Sequence, residues 1–234
     1  MVAGRLIGGV LPYVTFLVFA WGIVYRITRW NRARSTKIPL FPAPSGPAGK
    51  WNRIAKEVLI FKGALEGDKS LWVGTWIFHA ALAFILMGHV RVVMDFPVVW
   101  GALGLDKGGV DSVSAVLGES AGLILLGTGV YLLLRRFLLP HVRVISGFED
   151  YASIALILAV VFTGDLMRFG SHFDLNQARE CTAGLLSLNP GPVPADPRFL
   201  LHFLLAQILI MYIPFSKFLH IPGVFFSKSL LYET

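Results

Sequence analysis

The chain contains six histidines, and four of them lie in or at the ends of two long apolar segments. They are His79, His89, His202 and His220. An ionisable side chain inside hydrocarbon is costly and marks a functional site unless it only packs and hydrogen-bonds. Histidine is also the commonest metal ligand, because its neutral imidazole nitrogen donates a lone pair. These four residues are therefore candidate metal ligands.

The spacing of the four histidines arranges them in two pairs. His79 and His89 lie about 15 Å apart along a helix and differ by about 80° around it. His202 and His220 are separated by five whole turns, about 27 Å along one face. The two helices are expected to cross the membrane in opposite directions. His89 therefore shares the outer level with His202, and His79 shares the inner level with His220.

Two imidazoles on opposite faces are the axial ligands of a six-coordinate b-type haem in a helical bundle. The two pairs predict two haems b, the outer on His89 and His202 and the inner on His79 and His220. Their spacings differ by about 12 Å, which helix tilt and a kink at Pro214 are expected to absorb. The alternative is that each histidine is a hydrogen-bonded packing residue.

The composition indicates that these helices cross a membrane. Of 234 residues, 55% are hydrophobic and 15% are charged, whereas soluble domains have about 25% charged residues. Lipid requires each segment to satisfy its own backbone hydrogen bonds. We predict an all-α integral membrane bundle of five transmembrane helices that forms a single domain over residues 1–234. The predicted helices are 6–27, 71–94, 113–134, 151–169 and 198–219.

Loop charge predicts the orientation, since Lys and Arg concentrate on the cytoplasmic side. The long segment at about 28–70 is strongly basic, whereas the segments 95–111 and 171–197 carry more acidic than basic residues. We expect the N-terminus outside and the C-terminus cytoplasmic, in a multi-pass protein of the cell inner membrane. The net charge of +7 follows from these loops and does not indicate nucleic acid.

The basic segment also contains an amphipathic stretch. Trp51, Ile54, Val58 and Phe61 recur at helical spacing with basic residues between them. This pattern predicts a helix that lies on the membrane lipid or against a cytoplasmic subunit. Prolines at 39, 42, 44 and 47 precede it.

Small residues lie beside the predicted ligands. Gly88 precedes His89, Gly74 lies on the same helix, and Ser114, Gly118 and Gly122 share one side of the third helix. Such residues let either a flat macrocycle or a neighbouring helix approach the backbone.

Three cations lie near the predicted membrane faces, namely Arg91, Arg168 and Lys217. They are candidates to pair with haem propionates, which need cations where they leave the hydrocarbon. The alternative is that these side chains only extend to the membrane surface.

The histidine motifs resemble those of a known family. The first is FHAALAFILMGHVR, with His79 and His89, and the second begins at FLLHFLLAQ and ends in IPFSKFLHIPG. Over the second to fifth helices, the chain resembles the gamma subunit of respiratory nitrate reductase. It is also similar to the cytochrome b subunits of heterodisulfide-reductase-like and sulfate-reducer membrane redox complexes. The TGDLMRFG end of the fourth helix is closer to this second group.

The resemblance implies two haems b with the same pairing of histidines. It also implies that menaquinone or another quinone reacts beside the outer haem, and that electrons are exchanged with a cytoplasmic iron–sulfur subunit. The residues expected near the quinone are Gly88, His89, Arg91, Asp95, Asp165 and Arg168, and His172 is a further candidate. Asp165 and Asp95 are candidates to relay its protons. Lys107 is the only lysine of the first outer loop, but GLDKGGVDS does not match the quinol-binding lysine region of the nitrate reductase subunit.

The chain is thus expected to be the quinone-reactive electron-transfer subunit of a multi-subunit oxidoreductase. Other membrane subunits, an external multihaem cytochrome c and membrane lipid are further expected partners. The long basic first loop is unlike that of the nitrate reductase subunit and favours a different soluble partner. Two other interpretations are a haem-free membrane anchor or small transporter, whose histidines bind protons or a metal ion, and a haem-sensing or haem-handling protein.

Overall fold

The computed structural model describes residues 2–32, 46–171, 173–220 and 222–225. Within these residues every regular element is helical, and five helices are long and apolar enough to cross a membrane. These spans are Leu6–Arg32, Lys69–Val93, Lys107–Leu138, Phe148–Gly170 and Pro197–Phe215. The prediction of an all-α bundle with five spans is confirmed. His172 and the prolines at 39, 42 and 44 lie outside the described residues.

Shorter helices connect the spans. In chain order the elements are α1 (Val2–Arg5), a π-helical turn (Leu6–Val10), α2 (Leu11–Arg32), α3 (Gly46–Leu59), α4 (Lys62–Gly67), α5 (Lys69–Val93), α6 (Pro97–Ala102), α7 (Lys107–Leu138), α8 (Pro140–Val144), α9 (Phe148–Ser171), α10 (Leu175–Leu186), α11 (Pro197–Tyr212) and two 3₁₀ turns (Ile213–Phe215 and Lys217–Leu219). The spans are therefore the π-helical turn with α2, then α5, α7, α9 and α11.

Aspartate side chains begin three of the spans. Asp68, Asp106 and Asp196 accept hydrogen bonds from the backbone N–H groups of Leu71, Gly109 and Arg198 at the starts of α5, α7 and α11. Such a cap satisfies a backbone donor that the first helical turn leaves free. The cap at Asp106 explains why α7 begins at Lys107, before the predicted start at 113.

The spans pack in the order α5, α7, α9, α11 and α2, and α10 packs against α5. Their shared core contains Phe78, Ala81, Leu125 and Ile157. Within the described residues, α5 and α11 do not pack extensively against each other. The imidazole rings of His89 on α5 and His202 on α11 nevertheless come within 6.3 Å of each other.

The fifth span ends differently from the predicted helix, which was expected to continue to Leu219. The α-helix ends at Tyr212, and the chain continues in 3₁₀ turns around Pro214. Proline has no backbone N–H and cannot continue a helical ladder. Pro214 is fully buried, and a Cβ added at Gly22 of α2 would lie 2.5 Å from its ring. Arg26 of α2 donates a hydrogen bond to the Pro214 carbonyl oxygen at 2.9 Å.

The amphipathic stretch forms α3, which ends at Leu59. Ile54 is its buried residue, whereas Trp51 is 60% exposed. The pattern placed Phe61 on the same helix, but Phe61 adopts a left-handed conformation (φ 53°) between α3 and α4. This backbone conformation is energetically unfavourable for a residue other than glycine. The turn directs the Phe61 ring towards α5.

Candidate functional site

The half of the bundle that loop charge predicts to face outside is called the outer half below, and its two histidines face each other across the bundle. His89 lies in the last turns of α5, and His202 lies in the second turn of α11. Their ring centroids are 6.3 Å apart, and their ring planes differ by only 23°. The structure therefore brings together the predicted outer pair, with one histidine from each of two helices.

The inner histidines also form a pair, with another geometry. His79 lies in the first half of α5, and His220 directly follows the second 3₁₀ turn. Their ring centroids are 5.8 Å apart, and their planes differ by 86°. The rings of Phe61 and Phe78 meet His79 edge-on at centroid distances of 5.1 and 5.5 Å. The inner pair is therefore perpendicular and flanked by aromatic rings.

In all four imidazoles, Nδ1 lies beside a backbone carbonyl oxygen. The carbonyls are those of Thr75 for His79 (2.8 Å), Ile85 for His89 (2.8 Å), Val160 for His202 (3.0 Å) and Lys217 for His220 (3.1 Å). Because a carbonyl can only accept, each Nδ1 carries the proton and donates it. In the neutral imidazole, Nε2 then has the lone pair that can bind a metal. Proteins orient metal-binding histidines by this kind of Nδ1 hydrogen bond.

The spacing within each pair fits a metal bound between two imidazoles. A metal–nitrogen bond is about 2 Å long, and a ring centroid lies about 1 Å behind its nitrogen, so two opposed ligands place their centroids about 6 Å apart. The observed distances are 6.3 and 5.8 Å. The histidines therefore fit the axial positions of a haem.

The number of candidate ligands also distinguishes a haem from a bare ion. Within the part of the chain that the structure describes, no group of three or more His, Cys, Asp or Glu side chains could hold a metal ion. Zinc sites usually have three or four protein ligands. A pair of imidazoles fits a metal whose other four ligands come from a macrocycle.

Two arginines from different spans converge on Ser114 of α7. Arg91 of α5 donates to the Ser114 hydroxyl group, and Arg168 of α9 donates to the Ser114 carbonyl oxygen at 3.2 Å. Arg91 is only 9% exposed, and its guanidinium lies 3.6 Å from Asp95 and 3.4 Å from Asp111. Its Nε is buried and makes no hydrogen bond with the described residues. Two of the predicted quinone-site residues, Arg91 and Arg168, are therefore brought together at the outer end of the bundle.

The glycines of α7 make room for polar side chains of α9. A Cβ added at Gly118 would lie 2.5 Å from the guanidinium carbon of Arg168, and one at Gly122 would collide with Oδ1 of Asp165. The other carboxylate oxygen, Oδ2, is buried and has no hydrogen-bond partner among the described residues. These two glycines therefore make room for the side chains of Arg168 and Asp165.

Three other sequence-predicted residues have different surroundings. A Cβ added at Gly88 would meet nothing within 4 Å, so the backbone beside His89 is open on that side. Gly74 instead receives the ring of Tyr131 from α7. The Nζ of Lys217 lies 2.9 Å from the nearer carboxylate oxygen of Asp150, which compensates its charge.

A cavity of about 260 Å³ with several charged side chains in its lining lies beside Arg91 at the outer end. Its lining includes Asp95, Trp100, Lys107 and Arg179. Asp95 accepts hydrogen bonds from Trp100 Nε1 at 2.8 Å and from Arg179 at 3.0 Å. The pKa of Asp95 is lowered, and the hydrogen bond from Trp100 is the largest cause.

Sequence reasoning missed several neighbours of the predicted residues. Trp100 and Arg179 come from connecting helices, and no spacing rule relates them to α5. The only available signal was the i, i+4 spacing of Arg91 and Asp95, which favours an ion pair on one helix face. Thr163, which contacts His202, was missed because that contact depends on how α9 packs against α11.

The sequence profile of the nitrate reductase gamma subunit family matches residues 62–233. The chain therefore belongs to this family of multi-pass membrane proteins, and the predicted resemblance is confirmed.

Individual relatives match nearly the whole chain. The chain is 28% identical to the Hdr-like menaquinol oxidoreductase cytochrome b-like subunit of Archaeoglobus fulgidus, over 97% of this chain and 79% of the relative. The protein of the same name from Archaeoglobus profundus is also 28% identical, over 94% of this chain and 76% of the relative. The nitrate reductase gamma chain of Bacillus subtilis is 21% identical, over 99% of this chain and 95% of the relative.

Proposed function

We propose that the chain is the di-haem b membrane subunit of a respiratory redox complex, and that it carries electrons between the membrane quinone pool and a cytoplasmic iron–sulfur partner. The observation that carries this proposal is the geometry of the four histidines. Every Nδ1 is bonded to a carbonyl, and the rings form two pairs with centroids 6.3 and 5.8 Å apart. The relatives named as menaquinol oxidoreductase cytochrome b-like subunits support the redox role.

In this proposal His89 and His202 hold the outer haem b through Nε2, and His79 and His220 hold the inner one. When bound, the two haems supply one-electron oxidation and reduction at two depths. The chain itself orients the ligands through the Nδ1 hydrogen bonds. It also fixes the separation of the two sites, because His79 and His89 lie about 15 Å apart along one rigid helix.

The proposed quinone site lies on the outer side, next to the outer histidine pair. Gly88 leaves open space beside His89, and Asp165 presents a buried carboxylate oxygen that lacks a partner. When a quinol is oxidised, it loses two protons and two electrons. The Asp165 carboxylate is suited to accept one of these protons as a general base. Arg168, three residues later on α9, provides positive charge near this carboxylate.

The outer cavity provides a route by which protons reach the outside. The cavity is lined by the charged side chains of Arg91, Asp95 and Lys107. Its volume is large enough for several water molecules. Proton release to the outside while electrons move inward would couple quinol oxidation to charge separation across the membrane.

The cytoplasmic partner is proposed from charge and exposure. The loop before α5 is strongly basic, and the exposed Trp51 and Leu59 lie on α3 in the same segment. By the distribution of loop charge, this side faces the cytoplasm. An acidic surface of an iron–sulfur subunit would complement it, and further membrane subunits or an external multihaem cytochrome c would complete the complex.

A reduced-minus-oxidised optical spectrum of the purified protein, with a measurement of haem per chain, tests the proposal. We expect b-type bands, two haems per chain, and reduction of these haems by a menaquinol analogue. A protein without b-type bands would support the haem-free anchor or transporter. Readily exchanged haem that a quinol analogue does not reduce would support a haem-handling protein.

A further inference from the structure

His202 is held differently from the other three histidines. The Nδ1 groups of His79, His89 and His220 bond to carbonyls three or four residues earlier in the chain. The Nδ1 of His202 instead contacts the neighbouring helix α9, at the Val160 carbonyl oxygen (3.0 Å) and at Oγ1 of Thr163 (3.2 Å). The orientation of this one ring therefore depends on a second span.

The direction of these hydrogen bonds follows from the donors present. The Val160 carbonyl can only accept, so the Nδ1 of His202 carries the proton. The Thr163 hydroxyl donates within its own helix, at 2.9 Å from each of the Ala159 and Val160 carbonyl oxygens. Its hydrogen points away from the imidazole, and a lone pair remains for the N–H of His202. Thr163 is only 5% exposed, so water does not compete for this contact.

The backbone of α9 leaves space for the imidazole. A Cβ added at Gly164 would lie 3.2 Å from Cε1 and 3.5 Å from Nδ1 of His202. The distance to Cε1 is shorter than an ordinary contact, so one of the two groups would have to shift by a few tenths of an ångström, whereas the distance to Nδ1 is an ordinary van der Waals contact. The turn from Val160 to Gly164 therefore forms a cradle with a carbonyl acceptor, a hydroxyl acceptor and a glycine that gives the ring room.

We propose that this turn of α9 positions His202 and that the Thr163 hydroxyl lowers the reduction potential of the outer haem. The inference rests on the proposed function, in which the Nε2 of His202 is an axial ligand. An acceptor on Nδ1–H makes the imidazole a stronger electron donor at Nε2. A stronger donor stabilises the ferric state over the ferrous state, so the metal takes up its electron less readily.

A buried threonine often bonds only to its own helix, and this simpler role needs a control. Thr128 of α7 provides it, because its Oγ1 donates to the Ile124 carbonyl at 2.7 Å in the same helical pattern, without a histidine contact among the described residues. Thr163→Val removes the hydroxyl at nearly constant volume. Thr163→Ser keeps the hydroxyl, and Thr128→Val removes a hydroxyl that contacts no ligand.

The test is a mediated redox titration of the haem absorbance in the intact complex, with the ferric electron paramagnetic resonance spectrum as a second readout. In Thr163→Val we expect one of two potentials to rise, with at least a threefold change in the ferrous-to-ferric ratio at fixed potential, about 28 mV for one electron. The other potential stays unchanged. Thr163→Ser and Thr128→Val keep both wild-type values.

Other outcomes separate the inference from the proposed function. A wild-type protein without haem contradicts the proposed function itself. Two intact haems with unchanged potentials in Thr163→Val contradict only the role of Thr163, and so does a fall in potential. For the cradle, Gly164→Ala should change the ferric resonance of one haem and leave the other as it was. Two unaltered resonances in a fully haem-loaded Gly164→Ala protein would contradict the positioning role.

Discussion

The outer and inner histidine pairs contain the same residue types but are built from different backbone. Both outer histidines lie inside regular α-helices, and their rings are nearly parallel (23°). The inner pair combines a helical His79 with His220, which follows a helix break, and its rings are perpendicular (86°). Regular α-helix therefore carries both outer histidines, whereas the inner pair also depends on an irregular turn.

The surroundings of the two pairs differ as well. The Thr163 hydroxyl contacts His202 of the outer pair, and the buried carboxylate of Asp165 follows two residues later on α9. Next to the inner pair lie the rings of Phe61 and Phe78. A polar environment suits the handling of quinol protons, and an apolar one suits a site that passes only electrons. The structural difference thus matches the division of tasks in the proposed function.

The largest difference between the outer and inner pairs should appear when a single histidine ligand is replaced. We expect His202→Ala to reduce the haem content from two per chain to one by loss of the outer haem. His220→Ala should also leave one haem per chain, but by loss of the inner haem. Each pair has only two protein ligands, so one alanine leaves its iron with a single axial imidazole. Haem quantification and low-temperature optical spectra measure the result.

The matched control for ligand removal is His141→Ala, because His141 lies on the short exposed helix α8. It should keep two haems. Two haems retained in both ligand variants would contradict the assignment of the histidines.

The next largest effect is expected for the buried carboxylate of the outer half. Asp165→Asn keeps the shape of the side chain but removes the base, so haem reduction by a menaquinol analogue should slow by about 10²-fold. Reduction by dithionite should stay at the wild-type rate, because it requires no proton acceptor. Stopped-flow absorbance measures both rates.

Asp174→Asn is a suitable control for the carboxylate variant, since asparagine also caps a helix well and Asp174 begins α10. It should reduce at the wild-type rate with both donors. Equal quinol rates in Asp165→Asn and the wild type would exclude Asp165 as the proton acceptor.

Much of the fold and of the histidine arrangement follows from the sequence. Five apolar stretches of spanning length fix the number of helices, and 3.6-residue periodicity with alternating helix direction pairs His89 with His202. The pairing of His79 with His220 follows from their shared depth in the membrane, although the helix that was predicted to kink at Pro214 and continue to Leu219 ends at Tyr212. The break at Pro214 changes the path of the chain without separating the pair.

The missing features depend on packing between elements that are distant in sequence. No local pattern indicates that Gly118 and Gly122 face Arg168 and Asp165 of another helix. The same holds for the ring-plane angles, which result from the Nδ1 partner that each imidazole finds. A helical pattern also could not indicate that Phe61 leaves its helix in a left-handed conformation.

The ring-plane angles give a finer spectroscopic prediction. An axial imidazole interacts with iron d orbitals of π symmetry, of which there are two. Two parallel imidazoles both act on the same one and so separate the energies of the two orbitals, whereas perpendicular imidazoles act on each equally. The ferric low-spin resonance of the inner haem should therefore be more anisotropic than that of the outer haem. In His220→Ala the more anisotropic signal should disappear, and in His202→Ala the less anisotropic one. The opposite assignment would show that the ring planes rotate when the haems bind.

The smallest expected effect concerns the inner end of α5, where Asp68 caps the helix and pairs with Arg135 of α7 (2.6 Å). The backbone hydrogen bond from Leu71, with Ser70 and Arg135, holds the pKa of Asp68 well below its usual value. A depressed folded-state pKa stabilises the protein above the unfolded value of about 3.9, and this contribution is lost as the pH falls through the folded value.

Asp68→Asn keeps a good cap and removes the charge, so its melting temperature should lie slightly below that of the wild type at pH 7. The difference should shrink as the pH falls below about 4. Circular dichroism melts in detergent between pH 3 and pH 7 measure it. At the outer end of α5, Asp95 also has a lowered pKa, so Asp95→Asn should show the same dependence. A pH-independent difference at the inner end would mean that its ion pair with Arg135 adds nothing beyond the cap. The inner end of α5 would then depend on the cap and on packing, whereas its outer end has the ion pairs of Arg91 and Arg179 with Asp95.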